Sequence, residues 1–312
     1  MGTIVRTAAL AALQTGLNLQ YASAYESPRP LIYKDVCSEI PSGKKNVLLA
    51  IADMFPQMRQ WVGDRIFHNP AEHSQLLTNP HYELSMEVDA DDVEDDELGG
   101  YFLSSAGLGE RASQHPDVLL GTVLQTGQSL IGFDGQNFFD TAHPVDAKNH
   151  IGTQSNYEAA GRALTAANWE LVKANMASWT AGPSNGGVSE LIGSVPTHVM
   201  VPRQLEGVAK RIFEAELDAS IVTTAAQTNV NKGTAKIIVN DRLNNQPTTW
   251  YALDLRSVLK PFAFVKRKAP KFVMLNRPDD QGMFLNNKIQ FGVDGRWGVG
   301  IAAWFRAYKA AA

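Results

Sequence analysis

The chain has 312 residues, 44% of them apolar and 19% charged, a globular composition that excludes a disordered chain and suffices for one large domain or two ordinary ones. A net charge of −4 and a pI near 6.0, with no basic block, argue against tight nucleic-acid binding. The single cysteine, Cys37, excludes intrachain disulfides and multi-cysteine zinc sites, and no apolar run approaches the roughly 20 residues that span a bilayer.

Residues 3–26 read as an amphipathic helix followed by a tether. Their TAALAALQTGL run imitates a signal peptide only faintly, being short, interrupted at Gln14 and without a cleavage site. Pro28, Pro30 and Pro41 make 27–46 extended or looped. VLLAIADMF, 47–55, has strand length. Alternation at Arg65–Phe67 and Tyr82–Val88, around the turn signals Asn69-Pro70 and Asn79-Pro80, predicts a long hairpin over 61–89. Its tip, 68–81, is polar, and a two-stranded ribbon needs something to pack on.

Eight acids follow within eleven positions: Glu87, Asp89, Asp91, Asp92, Glu94, Asp95, Asp96 and Glu97. Asp91 or Asp92 suits the N-cap of a long helix reaching about residue 127, and carboxylates oppose the positive end of its dipole. Ala106, Leu108, Ala112, Leu119, Leu120, Val123 and Leu124 carry its apolar face, and Pro116 should bend it or restart it at His115. A turn-rich connector leads to a helix over 165–180 capped by Thr165, a loop at 184–190, a buried strand at 197–202, a helix at 204–217 and a polar loop at 218–233. Strands follow at 235–240 and 248–255. The segments FAFVKRK, KFVML, MFLNNKIQFGVD and VGIAAWFRAYKA then make 261–310 strand-rich. The order is α+β, with a middle unit of about 120 residues inserted into a discontinuous first domain.

The chemical motifs fail on inspection. The acidic run places Glu94 at the sixth and Gly100 at the twelfth position from Asp89, where a calcium loop needs Gly and Glu. Gly107–Ala112 matches a dinucleotide fingerprint in letters but lies inside a helical stretch. Asp140 and His143, with Ser155 nearby, offer a hydrolase reading, yet no GxSxG elbow is present, and a turn in which Asp140 binds backbone amides fits better. There is no P-loop and no HExxH, and no cofactor or metal is expected. Trp297, Trp304, Phe305 and Tyr308 suit a core rather than base stacking, and Arg65, Arg296 and Arg306 suit pairing with the acidic run, in cis or across an interface.

Several stretches together resemble the Mu-like phage major head subunits, the gpT family: MRQWVGDRIFHN at 58–69, YELSMEVDADDVEDDELG at 82–99, HPDVLLGTVLQTG at 115–127, FDGQNFFDTAHPV at 133–145 and FGVDGRWGVGIAAWFRAYK at 291–309. They keep their order and cover most of the chain. The resemblance implies the Hong Kong 97 type of capsid fold: an N-terminal arm at 1–54, an extended loop at 55–90, a peripheral domain with its spine helix at 91–134, an axial domain at 135–258 and peripheral return strands at 259–312. It further implies a non-enzymatic major capsid protein of the virion, assembled in the host cytoplasm. Hexamers and pentamers would close an icosahedral shell around double-stranded DNA, with a portal and decoration or scaffold proteins as partners and no membrane. Arg65, Leu76, Leu77, Asp91, Asp92, Glu94, Asp95, Asp96 and Arg296 are the expected intersubunit residues. An encapsulin-like compartment shell is the alternative of the same fold, and a hydrolase on Asp140 and His143 the alternative of another class.

Overall fold

The computed structural model describes residues 2–51, 60–64, 74–94, 99–146, 151–184, 188–217, 228–275 and 280–312. The chain opens with helix α1 (Gly2–Glu26), helix α2 (Ile32–Val36) and strand β1 (Cys37–Pro41). Strands β2 (Asn46–Ala50), β3 (Ser74–Thr78) and β4 (His81–Asp89) lead into helices α3 (Ala90–Glu94) and α4 (Gly99–Thr126). Next come strands β5 (His143–Asp146), β6 (Ile151–Gln154) and β7 (Tyr157–Glu158), and helix α5 (Ala166–Ser178). Strands β8 (Thr180–Ser184), β9 (Val188–Leu191) and β10 (His198–Val201) precede helix α6 (Glu206–Phe213), β11 (Lys236–Val239) and β12 (Thr249–Leu253). The chain closes with β13 (Phe262–Leu275), helix α7 (Gln281–Asn286), β14 (Lys288–Ile301) and β15 (Ala307–Ala311).

Two sheets organise these elements, in the orders β1-β13-β14-β4 and β11-β10-β12-β15-β7. Alternation along β4 and β14 puts Val88, Ile289, Phe291 and Val293 on one buried face of the first sheet. Helices α1 and α4 cover that face. Leu10, Leu13, Leu17 and Tyr21 recur at helical spacing on α1 and meet Leu108 and Ala112 of α4. The two helices run in the same direction, because Gly16 faces Phe102, Leu17 accepts a hydrogen bond from Ser105 (2.7 Å), and Tyr21 faces Gly109. The second sheet and α5 enclose a larger core of Trp169, Trp179, Trp250, Trp304, Tyr251 and Phe305.

Several expectations are corrected. The second arm of the 61–89 hairpin, β4, pairs antiparallel with β14, from Asp89–Lys288 to His81–Arg296, and β3, within the expected tip, pairs with β2. The Arg65–Phe67 strand, the Asn69-Pro70 turn, the 185–187 part of the predicted loop and residues 218–227 lie outside the described residues. The segment 27–46 contains α2 and β1, the latter parallel to β13 and on its edge. Pro41 ends β1, an edge position where a missing N–H costs no ladder bond. The helix cap is Asp89, whose carboxylate accepts from the Asp91 amide (3.1 Å), rather than Asp91 or Asp92. Helix α4 continues through Pro116, which packs among Tyr25, Tyr33, Phe264 and Trp297. FAFVKRK and KFVML are one strand, β13, with a register irregularity between Lys266 and Lys271. Residues 281–286 are helical, and Asn287, at φ 53°, turns the chain into β14. The last strand leaves the return strands altogether, since β15 pairs with β12 in the second sheet.

At 1.5 Å per residue, α4 is about 42 Å long. Of its two fingerprint-like glycines, Gly109 has a packing explanation and Gly107 has none. A Cβ on Gly109 would lie 2.4 Å from the Tyr21 carbonyl oxygen and 2.9 Å from the Tyr25 nitrogen, whereas one on Gly107 would meet nothing within 4 Å. Gly107→Ala should therefore stabilise the subunit by up to about 1 kcal/mol through helix propensity. Gly109→Ala should destabilise it by about 1–3 kcal/mol by forcing α1 away. Urea unfolding of both variants checks this; equal effects would refute the close helix contact.

Candidate assembly surfaces

The last two passages of the chain between the two sheets run through 254–261 after β12 and through 302–306 before β15. Both crossings converge on Asp254. Its buried carboxylate accepts from Arg306 Nη1 (2.6 Å), Arg256 Nε (2.9 Å) and Nη2 (2.8 Å), and the Val195 amide (3.0 Å). Burial by itself raises the Asp254 pKa; these donors outweigh it and hold the carboxyl below its usual range. Arg306 is thus bonded to Asp254 at the junction of the two sheets. Sequence reasoning did not single out Asp254; the only signal was one acid directly after the apolar strand TWYAL.

Beside this clamp, the ring of His143 stacks on Trp304 at 3.9 Å and 8°. The buried His143 Nδ1 lies 2.6 Å from Asp134 Oδ2, and Nε2 lies 3.1 Å from Asn156 Oδ1. The Asn156 amide nitrogen donates to the carbonyls of Phe138 and Trp304, and its oxygen accepts from the Asp140 amide. That orientation makes Nε2 a donor. Asp140 instead accepts from the amides of Thr141 (2.7 Å) and Ala142 (3.1 Å), and Ser155 donates to Tyr157 O. Asp140, His143 and Ser155 therefore serve separate hydrogen bonds. The arrangement ties the 134–143 connector to the second crossing and offers no activated nucleophile. Among the described residues, no group of three His, Cys, Asp or Glu side chains is placed to hold a metal.

The acidic run begins where β4 ends. Lys288 pairs with Glu87, Asn287 donates to Asp91 (2.8 Å), and the Tyr101 hydroxyl donates to Asp92. Glu94 ends α3; Asp95, Asp96 and Arg65 lie outside the described residues. Arg296 is eight residues along β14 from Lys288, about 26 Å at strand rise, opposite His81 and Lys268. It therefore lies far from Asp89, the described residue of the run opposite Lys288.

Strands β2 and β3 form a separate two-stranded ladder lying over β14, where the Thr78 carbonyl approaches Gly298 and Leu77 approaches Gly300. Leu77 is buried with Ala263, Val265 and Ala302 of its own chain, and Val47 and Leu49 pack beside it. This removes Leu77 from the intersubunit residues: alternation directs it inward. Leu76 points the other way. It is 56% exposed, directly opposite Leu48, which is 62% exposed.

The family model for the Mu-like prophage major head subunit gpT matches residues 10–177, 159–243 and 239–312. The chain belongs to this head-subunit family. It is 23% identical over 301 residues to the major capsid protein of Escherichia phage Mu, covering 96% of this chain and 73% of that one. It is also 23% identical over 279 residues to the Mu-like prophage FluMu major head subunit of Haemophilus influenzae, covering 89% and 66%. The head subunit thus spans about two thirds to three quarters of the length of these relatives. Among solved structures, the procapsid of bacteriophage JBD30 matches with a TM-score of 0.58 and 24% identity over 98% of this chain and 75% of that chain. The JBD30 capsid matches at 0.53 and 17%, over 91% and 66%. The fold is the Hong Kong 97 type of phage capsid protein. Both curated relatives are phage or prophage head subunits, which disfavours the encapsulin-like alternative.

One group in the head subunit's second sheet carries a pH dependence. Lys309 is 3% exposed, its Nζ donates to Gln128 Oε1 (3.0 Å), and it lies 5.7–5.8 Å from the ring centres of Phe139, Tyr157 and Tyr251. Burial lowers its pKa from 10.5 to about 8. Above 10.5 the amine is neutral folded and unfolded; below about 8 it is charged in both, and the fold bears the cost of a buried charge. Its contribution to stability therefore improves as pH rises from about 8 to 10.5. Lys309→Met should abolish that component: the difference in urea midpoint between variant and wild type should shrink from pH 7.5 to pH 10. A constant difference would contradict the assignment.

Proposed function

We propose that this head subunit self-assembles into hexamers and pentamers that close an icosahedral shell around double-stranded DNA. One observation carries the reading: Leu48 and Leu76 are a directly opposed, exposed apolar pair on a ladder whose other face, among the described residues, packs on its own chain. A neighbouring copy supplies the second cover, through heterologous contacts that close by symmetry. In this reading α1 to β1 form the arm and the β2–β3 ladder is the base of an extended loop reaching a neighbour's spine helix, α4. The first sheet with α4 is the peripheral unit, and the second sheet is the axial one. The acidic side chains Asp91, Asp92, Glu94, Asp95 and Asp96 face arginines of another copy, with Arg65 and Arg296 as the candidates. Eight acids so closely spaced repel one another unless matched.

The role is structural rather than enzymatic. The buried carboxylates Asp254 and Asp134 are engaged by Arg306 and Arg256 and by His143, as in a scaffold. Portal and decoration or scaffold proteins are the further partners. The DNA is held inside by enclosure, consistent with the net charge of −4. The site of action is the virion, reached by assembly in the host cytoplasm.

The test separates folding from assembly on adjacent residues. Leu76→Asp should leave urea unfolding within about 0.5 kcal/mol of wild type, as for an ordinary surface change, yet abolish closed particles in negative-stain microscopy. Leu77→Ala should cost about 2–5 kcal/mol in subunit stability. Normal shells from Leu76→Asp would overturn the proposal.

A further inference from the structure

The first sheet ends on two open edges of opposite charge. Strand β1 pairs with β13 only over Phe262–Lys266, so among the described residues the outer part of β13 has no neighbour on that side, and β4 has none beyond β14. The open length of β13, 267–275, carries Arg267, Lys268 and Lys271 and no acid, whereas β4 carries Glu83, Glu87 and Asp89 and neither Lys nor Arg. Lys268 is bound to Asp294 and Glu87 to Lys288. Arg267, Lys271 and Glu83 are exposed and have no ion pair among the described residues. Each edge also leaves alternate backbone N–H and C=O groups outside the ladder, a template for another strand.

The edges differ in what they admit. Lysines, prolines and bulges protect an edge, and Lys268, Pro270 and the register irregularity block β13 as far as residue 270. Beyond it, Lys271–Leu275 runs in regular register. Two copies joined β13 to β13 would set bases against bases, and two joined β4 to β4 would set acids against acids. Charge therefore selects β13 against β4. Both strands are antiparallel to β14, so copies lying side by side bring them together in parallel. Within one chain the rungs of the sheet are Lys271–Asp294–Glu83, Phe272–Val293–Leu84 and Met274–Phe291–Met86. A neighbour at the same level places Lys271 against Glu83 on the open face. On the face toward α1 and α4 it places Phe272 and Met274 against Leu84 and Met86.

We propose that Lys271–Leu275 of one copy pairs in parallel with Glu83–Glu87 of the next, joining their first sheets edge to edge. The inference rests on the shell reading above and adds an interface to those named in it. The contact is heterologous, with a different surface from each partner, so it passes on to further copies instead of ending at a dimer.

The test combines Ser85→Cys and Val273→Cys in the full chain, both on the open face of the sheet. Within one subunit these positions are two strands apart across Gly292, about 9–10 Å at strand spacing, beyond the roughly 7 Å between Cα atoms that a disulfide allows. In the proposed pairing they lie on adjacent strands of two copies. Shells are assembled under reducing conditions, oxidised and run on a non-reducing denaturing gel. The double variant should give a ladder running past the dimer, and each single variant only monomer. The charge pair is tested separately: Glu83→Lys and Lys271→Glu should each lower shell yield about tenfold or more with urea unfolding of the subunit unchanged, and the double variant should restore it. Shells of the double cysteine variant that stay monomeric on the gel, single variants that dimerise, or a charge swap that restores nothing would overturn the edge pairing while leaving the shell reading standing. Failure of the wild-type chain to form any closed particle would refute both.

Discussion

The Asp254 carboxylate, gripped by Arg256 and Arg306, is the constraint on which the rest of the subunit depends. The chain leaves the second sheet after β12, builds the long β13–β14 pair of the first sheet, and returns as β15 next to β12. These last two crossings meet at one point and join the sheets there. A buried carboxylate with two arginines and a backbone amide around it satisfies charge and hydrogen bonding together; removing one member of such a pair costs about 3–5 kcal/mol. The neighbouring stack of His143 on Trp304, tethered by Asp134 and Asn156, secures the second crossing from the other side. These polar groups resemble catalytic machinery in sequence and act as joinery in space.

From that junction the functional surfaces follow. The first sheet is covered on one face by α1 and α4, so its free edges and the β2–β3 ladder look outward. The ladder is a two-stranded ribbon, marginal alone, and its inner face with Leu77 is just enough to anchor it to the subunit. What remains outside is apolar at Leu48 and Leu76. The same chain packs Trp169, Trp250 and Trp304 thoroughly, and this contrast is what the proposed cover by another copy rests on.

Much of the local structure was legible in the letters. The spacing of Leu10, Leu13, Leu17 and Tyr21 gives α1, Thr165 caps α5 through the Asn168 amide, and the apolar run THVMVP gives a strand buried at Val199, Met200 and Val201. The Asp140 turn follows from an Asp beside small residues. Strand pairing was not legible, because alternation reports which face is buried and is silent about the partner. Tyr82–Val88 was therefore assigned to its sequence neighbour, although its ladder lies with residues two hundred positions away. Leu76 and Leu77 are equally apolar, and only the register with Leu48 and Val47 separates an outward side chain from an inward one. Residues 281–286 read as strand and fold as helix for a related reason: tertiary packing overrides the local preference. Cys37, by contrast, is buried, and burial raises its thiol pKa, in keeping with a packing role.

The central claim is that the subunit's fold is self-sufficient while the ladder face and the free edges of the first sheet are completed by other copies. Hydrogen exchange measured by mass spectrometry on free subunits and on closed shells tests this most directly. The account predicts added protection in the shell at 46–50, 74–78, 81–89 and 271–275, with the second sheet equally protected in both states. Added protection confined to the second sheet, with the ladder and edges unchanged, would contradict it.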